Sequence, residues 1–376
     1  MQFTITLILI TLFFSSLAQN DTTLSKLTFQ GDFRFRFEQD WNSKKSDGTF
    51  RDDRTRFRYR LRVGAVYTNS WYEVGLRLRT GQLNKQQDPQ LTLGNGFKEF
   101  GTLPIGLEKA YFQGKGKSAG FWMGKNTFPF EKSNELFWSD NVFPEGISVW
   151  KSFLFESNFI DSLNIKAGHF IMSTMGRALD KDAYFQGGQV YLKFLDNRVE
   201  LFPAIYLFKN IPNIPDVSET YLLDYSIFHT GLRAEISKKR NIVFELDYYN
   251  NLQDYDLNDS ISNSFKNQTS SLVIALGYGT LKQKGDWIIK ASYAYLERYS
   301  AVDFMAQNDW ARWDYSQFNS PDGRLTNFNG VEIVGGIKLN QKINLKAKYY
   351  FVEQLLPFGT TKETGNRFRF DIDIKF

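Results

Sequence analysis

Residues 54–63 read RTRFRYRLRV: Arg54, Arg56, Arg58, Arg60 and Arg62 interleave with Phe57, Tyr59, Leu61 and Val63. Successive side chains of a β-strand point to opposite faces, so this run makes one guanidinium face and one aromatic-aliphatic face. The same rhythm opens and closes the chain. Phe33, Phe35 and Phe37 alternate with Asp32, Arg34, Arg36 and Glu38, and Phe368, Phe370, Ile372, Ile374 and Phe376 alternate with Arg367, Arg369, Asp371, Asp373 and Lys375. A soluble sandwich would bury the apolar face. A membrane barrel turns it to lipid and sets the ionic face toward water.

Counting segments separates the two. Strands are expected at 27–38, 54–68, 71–80, 107–115, 119–126, 146–155, 162–172, 187–195, 197–209, 226–237, 240–250, 268–280, 285–299, 329–339, 342–353 and 366–376, an even sixteen. Their connections alternate between short turns, such as Asn69-Ser70 and Lys238-Lys239, and long loops at 39–53, 81–106, 127–145, 173–186, 210–225, 251–267, 300–328 and 354–365. That two-stroke pattern, with both termini at the short-turn end, predicts an all-β antiparallel transmembrane barrel with short periplasmic turns and long extracellular loops. No helical period or linker interrupts it, so one barrel domain is expected at 19–376.

Composition agrees. The 376 residues are 17% aromatic, yet mean hydropathy is −0.39, the result of apolar and charged residues alternating rather than segregating. With no Cys, disulfide frameworks, thiolate metal sites and cysteine nucleophiles are excluded. Two isolated histidines leave little for a metal or a catalytic triad, so no cofactor is expected. A net charge of +5 with both signs dense throughout gives no reason to expect nucleic acid. Residues 2–14 (QFTITLILITLFF) form an apolar run followed by Ser16 and Ala18, small residues placed for cleavage before Gln19. The run is too short to span a bilayer as a helix. A signal peptide at 1–18 is therefore expected, although the segment before the run has no Lys or Arg.

Sixteen strands is a size at which side chains no longer fill the interior and an aqueous channel remains. The parity of the first three strands and the last puts Arg34, Arg36, Arg54, Arg56, Arg58, Arg60, Arg62, Arg77, Arg79, Arg367 and Arg369 on the lumen side, a basic wall lining the pore. The expected register sets Arg36 beside Arg56, Arg60 beside Arg79 and Arg34 beside Arg369. Like charges so close destabilise one another, and guanidinium does not escape by losing its proton. Carboxylates, water or passing anions must offset them; Asp32, Glu38, Glu73, Asp371 and Asp373 cover part of the charge. The third long loop, 127–145, adds Glu131, Glu135, Asp140 and Glu145 against Lys132, with Phe and Trp residues out of place in solvent. Folded inward, it would narrow the pore and set carboxylates opposite the arginines. Folded outward, it would pack on neighbouring loops and leave the arginines to wall salt bridges.

GDFRFRFE (31–38), RFRYRLRVG (56–64), WYEVGLRLRTG (71–81), LEKAYFQGK (107–115), GKNTFPF (124–130) and NVFPEG (141–146) together resemble the putative-porin family of Gram-negative outer membranes. The strand count and third-loop layout resemble general porins. The likeness implies a passive channel in the outer membrane, in contact with its lipid, and by analogy with general porins a homotrimer; it brings no catalytic residues. Phe376, ending a run apolar at every second position, resembles the terminal signal that such barrels present to their assembly machinery.

Other signals are weaker. Gly114–Ser118 lacks the first glycine of a phosphate loop, Tyr111 standing there. His169 and His229 lie on different strands without a nucleophile motif. Trp71, Tyr72, Tyr248, Tyr249, Tyr349 and Tyr350 fit interfacial girdles. The loop 300–328, with Trp310, Trp313, Tyr315, Phe318, Asp303, Asp309 and Asp314, reads as a sugar vestibule or as a self-packed loop. The expected function is passive diffusion of small hydrophilic solutes with a bias toward anions. A selective channel for acidic oligosaccharides, polyuronates or phosphate, a barrel enzyme and a closed structural barrel stay open at this point.

Overall fold

The computed structural model describes residues 25–83, 87–94, 101–156, 159–174, 181–214, 220–311 and 325–376. The expected leader at 1–18, together with Trp313, Asp314, Tyr315 and Phe318, lies outside them. The chain is a closed antiparallel barrel of sixteen strands. They are β1 (Lys26–Trp41), β2 (Arg54–Thr68), β3 (Tyr72–Thr80), β4 (Ile105–Lys115), β5 (Ala119–Lys125), β6 (Glu145–Leu154), β7 (Ile160–Ser173) and β8 (Ala183–Phe194). The second half holds β9 (Val199–Leu201 and Ala204–Pro212), β10 (Leu222–Ser237), β11 (Ile242–Asn251), β12 (Ser270–Gly279), β13 (Trp287–Leu296), β14 (Phe328–Lys338), β15 (Ile343–Gln354) and β16 (Thr364–Lys375). Each pairs with the next, and β16 pairs with β1. A short Leu91–Thr92 segment of the second long loop adds to β2.

β9 is interrupted because Pro203 has no N–H for the ladder. Phe202 turns inward there and lies on Gly231 of β10, where any Cβ would collide with its ring.

Parity places the side chains as expected on β1–β3 and β16. Phe57, Leu61, Val63, Leu76 and Leu78 stand on the exposed outer face, while Arg58, Arg60, Arg62 and Arg79 are buried inside. Phe35, Phe37 and Phe368 are ring neighbours of this outer belt, with Phe37 centred 5.5 Å from Phe57.

The register differs from the expectation while keeping its parity. Arg36 faces Arg58 rather than Arg56, Arg62 faces Arg79 in place of Arg60, and Arg34 faces Asp373 rather than Arg369. The physical reasons are local. Asn69 closes its turn on Tyr72, so Trp71 belongs to the turn and β3 slides by two residues. At the seam, Gly31 and Phe376 exchange both backbone hydrogen bonds, at 2.9 and 3.0 Å. The terminal ring lies over Gly31, a position with no room for a Cβ.

Two further expectations need correction. Tyr249 and Tyr350 are not girdle residues: adjacent strand residues point to opposite faces, and these two are buried inside at 2% and 0% exposure. Nor is the inner face ionic all round. On β7–β11 it carries Phe170, Phe185, Tyr206, Phe208, Tyr225, Ile227 and Tyr249, all buried.

Candidate functional site: the barrel interior

The eleven arginines all stand on the inner face, and the corrected register explains how so many fit. Across the seam, Arg34, Arg36, Glu38 and Asp40 of β1 face Asp373, Asp371, Arg369 and Arg367 of β16, four successive pairs of opposite charge. Arg36 grips Asp371 through two bonds of 2.6 and 2.8 Å, the bidentate geometry that favours arginine over lysine. Arg369 reaches Glu38 at 2.6 Å and Arg367 reaches Asp40 at 2.5 Å. On the other side Arg54 pairs with Asp40, Arg56 with Glu38 and Arg60 with Asp32. Glu108 of β4, fully buried, gathers Arg62 at 2.9 Å and Arg77 at 2.5 Å, with Arg79 at 3.9 Å.

Two loops complete the wall. Asp88, in the second long loop (81–104), takes Arg58. Asp309, in the seventh (297–327), takes Arg369, with Arg36 at 3.9 Å. Sequence reasoning missed Asp40, Asp88 and Glu108, and read Asp309 only as an acid of the 300–328 loop, not as a partner of the arginines. Parity could have found Asp40 and Glu108, which share a face with the arginines; nothing in the sequence places the loop acids. Eleven guanidiniums thus meet eight carboxylates.

The third long loop (126–144) lies against the inner face, held by aromatic packing. Phe128 stacks on Trp138 at 4.5 Å, Phe137 stacks on Tyr249 at 4.5 Å, and Phe130 meets Tyr206 at 5.4 Å. The wall's apolar inner patch and the loop's out-of-place aromatics are two halves of one contact. Polar bonds fix it further. Glu131 and Gln189 exchange two bonds, at 2.7 and 3.0 Å. Asp247 of β11 accepts from the Ser133 N–H at 3.0 Å, from Asn134 Nδ2 at 2.7 Å, and sits 2.8 Å from His229 Nε2. His229 is therefore part of the loop's anchor, with Tyr249 stacked 4.3 Å away. His169 points to the outer face, 3.0 Å from Gln186. The two histidines do not come together.

The loop's acids do not touch the arginines. Glu131 pairs with Lys166 at 2.7 Å and Asp140 with Lys132 at 2.6 Å; Asn141, not an acid, meets Arg62 at 2.7 Å. Glu145 departs furthest. It opens β6 with the outward parity of Ile147, is exposed, and pairs with Lys125 at 2.5 Å.

Glu131, Glu135 and Asp140 instead border a cavity of 530 Å³ between this loop and the inner faces of β11–β15. Its far side carries Lys290, Lys346 and Lys348 with Glu245 and Glu332, and no wall arginine lines it. Burial and the neighbouring Asp140 push the Glu135 carboxyl above its ordinary value. For Asp309, burial alone would do the same, but Arg369 and Arg36 prevail and hold it well below the usual carboxylate range. Among the described residues no group of His, Cys, Asp and Glu has metal-ligand geometry.

Comparison with solved structures shows the same fold at low identity. Pseudomonas putida OprB superposes with a TM-score of 0.57 at 12% identity, covering 93% of this chain and 94% of that one. Salmonella typhi OmpF, in a complex with daunomycin, gives 0.56 at 11%, covering 94% and 98%. An anion-selective porin from Comamonas acidovorans gives 0.53 at 10%, covering 94% and 100%. No curated protein matches the sequence. The profile of the family described as "Putative porin" matches residues 46–253, more than half of the chain. An aromatic belt outside, a charged interior and an inward third loop agree with that match, and the chain belongs to the putative-porin family.

Proposed function

We propose that this chain is a passive diffusion channel of a Gram-negative outer membrane, passing small hydrophilic solutes down their gradient. The observation that carries this reading is the third loop, pinned to one inner wall with a cavity of 530 Å³, lined by charged residues, left beside it. Family membership and the porin fold support it. In this reading the leader 1–18 is removed on export, Phe376 is presented to the barrel-assembly machinery, and the barrels associate as trimers by likeness to general porins.

The passage differs from the one the arginines suggest. In our reading the transverse field runs from Glu131, Glu135 and Asp140 on the loop to Lys290, Lys346 and Lys348 on the wall. The arginine ladder is chiefly a salt-bridged scaffold whose surplus of three positive charges gives a weak lean toward anions. Sieving is mainly by size. The two histidines, on opposite faces of the wall, lend no support to a hydrolase.

Replacing Glu131, Glu135 and Asp140 together by neutral residues should raise anion preference, read as a shifted zero-current potential in a KCl gradient across a planar bilayer. An unchanged potential would remove the loop from the permeation path.

A further inference from the structure

A second cavity, of 460 Å³, lies on the other side of the third loop, between residues 126–129 and the inner faces of β4–β7. Its size suits a small ligand, and its lining is unlike the first. Gln113, Trp122 and Ser148 form one row across β4, β5 and β6, and Trp150 stands directly opposite Lys166. Aromatic surface, amides and hydroxyls therefore share one small space.

Two groups in it are unspent. Lys109 makes no ion pair among the described residues; its ammonium meets the Thr127 hydroxyl and the face of Phe143, 5.0 Å from the ring centre. Lys166, by contrast, is already neutralised by Glu131. Asn164 donates to Ser152 at 2.6 Å, but its buried Oδ1 accepts nothing. A buried acceptor without a donor costs free energy that a ligand hydroxyl would recover.

We propose that this cavity is a binding subsite for a monoanionic pyranose, a hexuronic acid in its ring form. The C–H face of the ring lies on Trp150, which rests against the bare backbone of Gly120. Ring hydroxyls donate to Asn164 Oδ1 and bond Gln113, and the single carboxylate pairs with Lys109. One ammonium with no carboxylate paired to it among the described residues and one orphaned acceptor specify one negative charge and at least one hydroxyl, which neither a neutral sugar nor a simple carboxylate supplies together. The proposal deepens the channel reading by naming a solute class, and it rests on that reading for the solute's route.

The test is calorimetric titration of the full chain in detergent with D-glucuronate, methyl glucoside and acetate, which needs no conductance and so fails separately from the channel reading. Glucuronate should bind at least about tenfold tighter than either control, as expected for one charge-assisted bond added to a hydroxyl contact. Lys109→Gln should erase the advantage over methyl glucoside, and Trp150→Leu should weaken both sugars while strand content by circular dichroism is kept. Equal binding of acetate and glucuronate, no heat with any sugar, or an advantage that survives Lys109→Gln would each overturn the proposal.

Discussion

Asp247 shows how much one buried side chain can hold. It is fully enclosed and bonds His229 together with the Ser133 N–H and the Asn134 amide of the third loop. Removing it leaves those groups without a partner, at a cost on the order of 3 kcal/mol. Asp247→Ala should therefore loosen the loop while the wall stays closed. Limited trypsinolysis of the reconstituted protein, followed by mass spectrometry, should show cutting after Lys132 in the variant and not in the parent. Equal resistance would mean that the aromatic packing alone anchors the loop.

Two loop carboxyls are shifted in opposite directions from their ordinary values. Glu135 has a raised value, so its neutral form is favoured in the folded loop, and acidification protonates it at a pH above the ordinary 4.5. The cavity then loses a negative charge. Zero-current potentials should shift toward anions on mild acidification, and Glu135→Gln should flatten that response. Asp309 has a depressed value, so the stability it adds is present above the unfolded carboxylate range and is lost as pH falls through its own lower value. The seventh-loop clamp on Arg369 should accordingly outlast the Glu135 transition.

At the scale of the strand, alternation placed the arginines and the aromatics of β1–β3 and β16 on their faces because one apolar and one charged face leave a single orientation in a lipid-facing wall; it did not do so for Tyr249 and Tyr350. Register was less legible. The four-residue difference at the seam arises where Phe376 pairs with Gly31, and the β2–β3 shift arises because Trp71 belongs to the turn. Parity is preserved by any even slip, so it cannot detect one. Gly31 makes the seam testable: a β-branched side chain there must displace the Phe376 ring. Gly31→Val should lower the yield of assembled, heat-modifiable barrel several-fold, whereas Gly188→Val, at a position open around its Cβ, should not. Equal yields would separate the terminal ring from barrel closure.

For the molecule as a whole, the closed barrel was readable from strand number and loop rhythm, but the interior was not. On β10, Ile227 and Phe228 are both apolar, so hydrophobicity does not say which faces inward; the structure buries Ile227 and exposes Phe228. That hidden apolar patch receives the third loop, leaves the larger cavity against β11–β15, and leaves the arginines braced by their own carboxylates. Fold and wall were therefore legible from local pattern, while the place of the third loop and of the cavity beside it depends on contacts between residues more than a hundred positions apart, such as Ser133 and Asp247.

The central claim is an open, size-limited hole beside a pinned loop. It is tested most directly by swelling of liposomes carrying the purified protein in a graded series of neutral sugars. The account predicts fast entry of the smallest sugar and rates that fall steeply with size. Swelling absent for every sugar, or independent of size, would contradict it.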